Sequence, residues 1–386
     1  LQDDTLIDPT EGAKDIELKT IRACSPTSFT DDPVRVLRGV RLAAVFDFSI
    51  DKQTREWMKQ ASSQVRSVSI ERARDEIFKI LNSKRVSDSI KALDMLGVIE
   101  QLMPELLKMK GVEQSSPHVF DVWTHTLSVL DYLDRIIFNL FEETPKNEFA
   151  EALQSQLGKF REQISKHFSE SLNIDRNHRS LLFFAALYHD VCKPETKTID
   201  ENGRIRFFNH DELGAKVVAE RAHSFNLSND EIERLNVIIK NHMRIHFFTS
   251  KLENQNEYPT RRAIYRFFRD AGKAGIDLIL LALADMRGTR DKGMTLKTWN
   301  IYLEISRILL ENYLEKPEEV VAPPRLLDGN DLMKELNIQP GKLIGELLEA
   351  IREGQAEGNI QTREEAIHFI KEELVRKENE HRKNSS

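Results

Sequence analysis

Six histidine and aspartate side chains interrupt or end apolar helical segments of this 386-residue sequence. An unpaired polar group in an apolar interior costs roughly 2 to 7 kcal/mol, so these side chains need a common partner. Imidazole and carboxylate ligands suit Mn²⁺, Ni²⁺, Fe²⁺, Zn²⁺ or, with more oxygen, Mg²⁺. The set predicts a centre for two divalent ions, with Asp190 able to bridge them. Its members are His125, His189, Asp190, His210, His242 and Asp285.

Each of these residues also has an ordinary structural interpretation. A single histidine on an apolar helix is more often a hydrogen-bonded core residue than a ligand, and Asp285 alone could cap a following helix. Their order along the chain favours the metal. His125 comes first, the adjacent pair His189-Asp190 follows, and Asp285 comes last with two further histidines in between.

This order resembles that of the HD superfamily of metal-dependent phosphohydrolases, and the stretch HDVCKP includes the lysine that usually follows the pair. The resemblance implies that His125, His189, Asp190 and Asp285 hold one ion and that His210 and His242 serve a second. It implies phosphoester hydrolysis, with His189, Asp190 and Lys193 as catalytic residues. Lys193 would bind a phosphate oxygen as a point charge, or it is simply a cation at a helix C-terminus.

A second stretch with chemical potential is SFTDDPVRVLRGVRLAAVFDFSI. Asp32 before Pro33 predicts a helix start with a carboxylate N-cap. Arg35, Arg38 and Arg41 then recur every three residues, which on a helix gives a cationic stripe opposite an apolar face. A solvated charged face is the plain alternative.

The arginine stretch resembles the fourth conserved motif of bacterial class II tRNA nucleotidyltransferases and poly(A) polymerases. The resemblance implies that Asp32 and Arg35, with Arg38, recognise the base edge of an incoming ATP or CTP. The segment DPTEGAKDIELKTIRA matches the end of that family's catalytic head, which predicts a glycine-containing turn and a short strand. Further matches are SVSIERARDEIFKIL and the tail that begins PPRLLDG, so the resemblance covers nearly the whole chain.

A modestly basic helical region follows the arginine stripe. We expect it to follow a tRNA backbone and to recognise phosphate and shape, because no pattern of interleaved aromatic residues signals base stacking there. The residues expected to bind RNA are Arg72, Arg74, Lys79 and Lys84.

The elements that must position these residues are mainly helices. Apolar residues recur at helical spacing and no long alternating strand pattern occurs. The predicted fold is mostly α, with a helical RNA-binding neck and body, an all-α HD domain and a small helical tail. No apolar run approaches the roughly 18 residues of a membrane span. Two distant cysteines, Cys24 and Cys192, predict free thiols in a reducing cytoplasm.

Changes in composition predict the boundaries of five segments, and the resemblance implies what each segment is. With a formal charge of −7, any nucleic-acid surface must be a local patch. The predicted segments are a remnant of the nucleotidyltransferase head at 1–28, the neck and body at 29–104, the HD domain at 105–314 with a charged surface insertion at 142–178, the tail at 315–375 and a disordered end at 376–386.

Nucleotide transfer in this family uses a Gly-Ser turn, an Asp-x-Asp metal pair and an Arg-Arg-Asp segment upstream of the DPTEGAKDIE stretch. None of these lies at a corresponding place in this sequence. We therefore expect the C-terminal part of a CCA-adding or poly(A)-adding enzyme without its head, able to bind tRNA and hydrolyse phosphoesters. Two alternatives stay open: a standalone metal-dependent phosphohydrolase acting on nucleotides or RNA ends, and an RNA-binding module with a structural metal.

Overall fold

A computed structural model describes residues 6–384 of the chain. In this range the strands form only three two-stranded sheets and helices make up most of the rest, so the prediction of a mostly α fold is confirmed. Within the same range, no helix combines the length and the apolar character that a membrane span needs. The parallel sheet pairs β1 (Thr20–Ile21) with β2 (Ser49–Ile50), and the antiparallel sheets pair β3 (Ser171–Asn173) with β4 (Arg176–Asn177) and β5 (Lys197–Ile199) with β6 (Ile205–Phe207).

The helices follow one another with short connections. The first twelve are α1 (Gly12–Glu17), α2 (Ser28–Asp31), α3 (Val34–Phe46), α4 (Lys52–Ala61), α5 (Ile70–Leu81), α6 (Val86–Met95), α7 (Val98–Leu102), α8 (Val122–Phe141), α9 (Glu148–Leu157), α10 (Arg161–Ser169), α11 (His178–Tyr188) and α12 (Lys193–Thr196). The others are α13 (His210–Ser224), α14 (Asn229–Asn241), α15 (Arg244–Gln255), α16 (Arg261–Ala271), α17 (Gly275–Arg290), α18 (Leu296–Leu310), α19 (Gly329–Leu336), α20 (Lys342–Glu357) and α21 (Arg363–Asn384).

The chain divides into two compact units. The first contains the residues up to Ile245 together with Ile276–Leu303, and the second contains His246–Gly275 together with the residues from Glu304 onward. The predicted HD segment, 105–314, therefore contributes residues to both units.

In the first unit, α11 is the helix that organises the core. Its residues from Ser180 to Tyr188 are all buried, and a helix that is apolar on every side belongs in an interior. The Asn177 side chain caps its start by accepting a hydrogen bond from the Ser180 N–H at 2.9 Å. The end of α11 consequently delivers the next two residues, His189 and Asp190, into the protein interior.

The segment 142–178, predicted as a surface insertion, contributes to the core instead. Helices α9 and α10 bury an apolar stripe that charged neighbours obscure in the sequence. The stripe consists of Ala150, Leu153, Leu157, Phe160, Ile164 and Phe168.

The beginning and the end of the described chain are more helical than predicted. The Asp8 carboxylate accepts hydrogen bonds from the N–H groups of Gly12 and Ala13 at 2.7 and 2.8 Å, so the predicted turn is the start of α1. The segment predicted to be disordered, 376–386, is helical as far as Asn384, and its last two residues lie outside the described range.

In the second unit, α19, α20 and α21 pack around an apolar cluster that includes Leu332, Leu347 and Ile370. Glu353 of α20 accepts hydrogen bonds from Arg262 and Arg266 of α16 at 2.8 and 2.5 Å. This unit therefore has its own core and its own polar network.

Candidate functional site

Five helices of the first unit deliver the six predicted ligands to one place. All six side chains are buried. His125 lies in the first turn of α8, His189 and Asp190 follow α11, His210 begins α13, His242 follows α14, and Asp285 lies in α17.

The helices α8 and α17 approach each other closely enough to bring their ligands together. A side chain on Gly288 of α17 would meet Val129 of α8, with a Cβ only 2.8 Å from the Val129 Cγ2 atom. One turn away, the Nε2 atom of His125 lies 3.1 Å from the Oδ1 atom of Asp285. The absence of a side chain at residue 288 thus permits the His125–Asp285 approach.

The two oxygens of Asp190 face different pairs of histidines. Its Oδ2 atom lies 3.1 Å from the Nε2 atom of His189 and 3.4 Å from that of His125. Its Oδ1 atom lies 3.5 Å from the Nε2 atom of His210 and 3.9 Å from that of His242. The carboxylate therefore separates two half-sites, as a bridging ligand would.

Hydrogen bonds to the backbone fix how three of the imidazoles are oriented. The Nδ1 atoms of His189, His210 and His242 lie 2.8, 2.7 and 2.6 Å from the carbonyl oxygens of Ala186, Phe207 and Ile239. A carbonyl oxygen can only accept, so each Nδ1 carries the proton. In a neutral imidazole the Nε2 atom then presents a lone pair to the centre of the cluster.

The protonation of the cluster follows from its burial and from its carboxylate. Burial lowers the pKa of His242 to about 3 and also lowers the pKa of His210, so both rings are neutral near pH 7. Burial alone would lower the pKa of His189, but Asp190 reverses the effect and the pKa is raised. Burial opposes ionisation of Asp190, yet His189 and Lys193 outweigh it and hold its pKa well below the usual range.

In the described part of the chain, several lone pairs of the histidine and aspartate cluster have no hydrogen-bond donor to pair with. The Nε2 atoms of His210 and His242 are 3.2 Å apart, and two neutral rings with protonated Nδ1 atoms have no proton to share between them. Among the described residues, the Nε2 atoms of His125 and His189 are buried without a well-aligned hydrogen bond. A divalent cation satisfies such lone pairs, so the residues fit a metal.

Lys193 lies inside the cluster. Its Nζ atom is 2.7 Å from Asp190 Oδ2 and 2.8 Å from Gln114 Oε1, and the residue is only 6% exposed. The predicted phosphate-binding cation is therefore held by the Asp190 carboxylate. Cys192 is also buried, and burial raises the pKa of its thiol to about 12, which leaves it protonated and in a packing role.

Sequence reasoning missed two neighbours of the cluster, Gln114 and His118. The His118 ring packs edge-on against His125 with centroids 5.3 Å apart, and burial lowers its pKa to about 3. Both residues lie in the loop EQSSPHVFD before α8. The proximity of His118 to His125 in sequence was the only available signal.

The predicted nucleotide-binding residues surround the start of α3. The Asp32 carboxylate accepts hydrogen bonds from Arg72 Nη2 at 2.8 and 3.0 Å, while Arg35 Nε is 3.9 Å away. Arg72 is the main cause of the lowered pKa of Asp32. The helix begins at Val34 after Pro33, so Asp32 serves chiefly as the partner of Arg72 rather than as the predicted N-cap.

A carboxylate of helix α5 partly neutralises the positive charge of the arginine stripe. Glu76 of α5 is buried and accepts from Arg41 Nε at 2.6 Å and from Arg38 Nε at 3.4 Å. Arg35 donates instead to the carbonyl oxygen of Ser28 at 3.1 Å. The stripe is therefore an organised surface rather than a freely solvated face.

The four predicted RNA-binding residues have different surroundings. Lys79 and Lys84 are exposed, and Arg72 is half-exposed beside Asp32. The Arg74 side chain is only 12% exposed and donates to the carbonyl oxygens of Phe225 and Asn226. The prediction that Arg74 faces RNA is corrected on this ground, because its guanidinium group is used inside the protein.

Three family profiles match successive parts of the chain. They are described as "Probable RNA and SrmB- binding site of polymerase A" at residues 47–109, "HD domain" at residues 148–285, and "tRNA nucleotidyltransferase domain 2 putative" at residues 319–370. The HD match includes five of the six clustered residues and begins after His125.

Curated relatives align with most of the chain. The chain is 29% identical over 345 residues to a CC-adding tRNA nucleotidyltransferase of Thermus thermophilus, which covers 88% of the chain and 66% of that protein. It is 27% identical over 372 residues to an A-adding tRNA nucleotidyltransferase of Deinococcus radiodurans, which covers 95% of the chain and 74% of that protein. The chain thus spans about two thirds to three quarters of the length of these relatives.

Solved structures share the fold at lower identity. CCA-adding enzymes in complex with CTP and with ATP superimpose with a TM-score of 0.53, at 20% and 19% identity. The match covers 95% and 96% of this chain and 66% of each solved chain. At this identity the likeness establishes the fold.

Proposed function

Because the chain belongs to the family of tRNA nucleotidyltransferases and poly(A) polymerases with an HD domain, we propose that it binds tRNA and nucleotides and hydrolyses phosphoesters. The hydrolytic site is the cluster around Asp190, and the nucleotide site is the surface around Asp32. A standalone hydrolase is the weaker alternative, because relatives that add nucleotides align with 88% and 95% of the chain.

The arrangement around Asp190 carries the proposal for hydrolysis. One carboxylate lies between two pairs of imidazole Nε2 atoms, and the Nδ1 protons of three of these rings are already committed to carbonyl oxygens. Such orientation by the backbone is typical of metal-binding histidines. His125, His189, Asp190 and Asp285 would hold one divalent ion, and His210 and His242 would hold a second with the other oxygen of Asp190.

The protein's own residues prepare the site for an anionic substrate. Two divalent ions would supply an acidified water and screen the charge of a phosphoryl group. Lys193 is anchored on Asp190 and Gln114, and its ammonium group would bind a phosphate oxygen of a substrate at this site. Burial of the whole cluster strengthens each of these electrostatic contacts.

The test of hydrolysis uses the purified chain with Mn²⁺, Ni²⁺ or Mg²⁺ and a phosphodiester such as bis(p-nitrophenyl) phosphate or a nucleoside 2′,3′-cyclic phosphate. We expect turnover that depends on the metal and is abolished by His189→Ala. The matched control is His223→Ala, which removes an exposed imidazole from α13. Turnover that survives His189→Ala would assign hydrolysis to another site.

The surface around Asp32 supports nucleotide recognition by protein side chains. Asp32, Arg35 and Arg38 offer acceptor and donor groups on neighbouring turns, and Arg72 and Glu76 hold two of them in place. Guanidinium and carboxylate groups in fixed positions can pair with the edge of a base. We expect Arg35→Ala to weaken ATP or CTP binding, measured by fluorescence or calorimetry.

The exposed cations Lys79 and Lys84 support binding of a tRNA backbone.

The curated relatives include one that adds CC and one that adds A, at 29% and 27% identity, so overall similarity does not select the nucleotide. Parallel titrations of the chain with CTP and ATP would show which nucleotide it prefers.

A further inference from the structure

Helix α5 makes side-chain contacts in two directions. Toward α3, Arg72 holds Asp32 and Glu76 holds Arg38 and Arg41, as described above. These contacts define the nucleotide corner, the group formed by Asp32, Arg35, Arg38 and Arg72. The other contacts of α5 lead to the turn between α13 and α14.

The turn between α13 and α14 is bound to α5 at three points. Arg74 Nη1 donates to the carbonyl oxygens of Phe225 and Asn226 at 3.3 and 3.0 Å. Glu71 Oε1 accepts a hydrogen bond from the Asn226 side-chain amide at 2.8 Å. Asn226 has a φ of +51°, a conformation that asparagine tolerates better than most residues. The turn is therefore docked on α5 by directed hydrogen bonds, not only by packing.

The same two helices carry half of the metal centre. His210 is the first residue of α13 and His242 directly follows α14, so both ligands lie at the end of the hairpin opposite the turn. The 15 residues of α13 place the turn about 20 Å from His210. Because α13 and α14 are paired along their length, a shift of the turn is passed to the ligand pair.

We propose that Arg74 and Glu71 are positioning residues for the His210–His242 half-site, so that α5 couples this half-site to the nucleotide corner. This inference rests on the proposed metal centre. The inference goes beyond the proposed metal centre because it gives a function to Arg74 and Glu71. These two residues contact neither the ligand cluster nor the corner residue Asp32. By linkage, a ligand that reorients one site changes affinity at the other.

A separate contact keeps the hairpin folded when the α5 contacts are removed. Arg221 of α13 donates to both carboxylate oxygens of Glu105 at 2.7 and 2.6 Å, and the Tyr188 hydroxyl donates to the same carboxylate at 2.7 Å. We therefore expect loss of the Arg74 contacts to change the orientation of the hairpin without detaching it from α11. This makes Arg74 suitable for a binding test.

The first experiment is a Mn²⁺ titration of the full chain, with free Mn²⁺ measured by electron paramagnetic resonance. His210→Ala defines the signature of losing the second half-site. We expect Arg74→Met to weaken the second ion alone, by about threefold to tenfold, and Arg74→Lys to recover part of this loss. Lys216→Ala, which removes an exposed cation from α13, is the matched control.

The second experiment tests the coupling. Arg72→Met releases Asp32, and we expect it to weaken the second Mn²⁺ ion in the otherwise unchanged chain but not in the Arg74→Met background. An equal effect in both backgrounds, or none in either, overturns the coupling. If Arg74→Met leaves both ions unchanged or weakens both equally, the positioning role fails. If His210→Ala still binds two ions, the proposed metal centre itself fails.

Discussion

His178 gives the sharpest prediction about stability, because burial of its ring disfavours protonation in the folded protein. It begins α11, at the opposite end of the helix from His189. Neither ring nitrogen has a hydrogen-bond partner among the described residues, and the ring lies 4.7 Å from that of His167. Burial, followed by the charge of Arg234, lowers the pKa of His178 to about 4.

The sign and size of the pH effect follow from this shift. In the unfolded chain His178 binds a proton below its usual pKa of 6.5, whereas in the folded protein it does so only near pH 4. Between these values the unfolded state binds more protons, so stability falls as the pH falls. From pH 7 to pH 5 this one residue should remove about 2 kcal/mol from the free energy of unfolding.

The assay compares urea unfolding of the metal-free chain at pH 7 and pH 5, in EDTA, for the natural sequence and for His178→Phe. Phenylalanine keeps an apolar ring in the buried position and cannot take up a proton. We expect the loss of stability between the two pH values to be about 2 kcal/mol smaller in His178→Phe. Another variant, His223→Gln, removes an exposed imidazole and should leave the loss unchanged. Identical losses in His178→Phe and the natural sequence would refute the reasoning.

Three further predictions concern the metal centre and the RNA surface. Asp190→Asn keeps the shape of the bridging group but removes its charge, so bound Mn²⁺ measured by mass spectrometry should fall, whereas the exposed Asp230→Asn should have no effect. Gly288→Ala should destabilise the protein by about 1 to 3 kcal/mol and weaken Mn²⁺ binding, because the new Cβ atom would collide with Val129. The control is Gly293→Ala, whose new Cβ atom would meet no atom within 4 Å. Lys79→Ala should lower tRNA affinity and reduce the salt slope by about one, and an unchanged slope would remove Lys79 from the interface.

The sequence was most informative where chemistry restricts residue type. Histidine and aspartate at the ends of apolar helices are expensive to bury alone, so their order along the chain indicated a common centre before any distance was known. The structure brings all six of those side chains together.

The sequence was least informative about which partner each charged side chain takes. Arg74 and Lys79 lie on the same helix and both suggested RNA binding, but only Arg74 donates to backbone carbonyl oxygens of another segment. Those carbonyl groups belong to a turn more than 150 residues away in sequence. Glu76 likewise gave no sign that it would hold Arg38 and Arg41. A pairing of this kind depends on tertiary packing and leaves no periodic signal.

A second buried cluster of the first unit shows what the residues around Asp190 lack. Asp277 of α17 is fully buried, and it accepts hydrogen bonds from His167 at 2.9 Å and from the guanidinium group of Arg234. Burial raises the pKa of Asp277, but His167 and the guanidinium group of Arg234 outweigh it and hold the pKa below its usual value. There the protein supplies its own cation, Arg234, to the buried carboxylate.

The Asp190 cluster uses two of the same helices, α14 and α17, but its internal cation is placed on one side only. Lys193 lies against Oδ2, while Oδ1 faces the Nε2 atoms of His210 and His242, whose Nδ1 protons point away toward carbonyl oxygens. A protein that needed only a stable core would fill this position with a donor, as Arg234 does beside Asp277. The arrangement of lone pairs around Oδ1 is therefore best explained by a cation that comes from outside the chain.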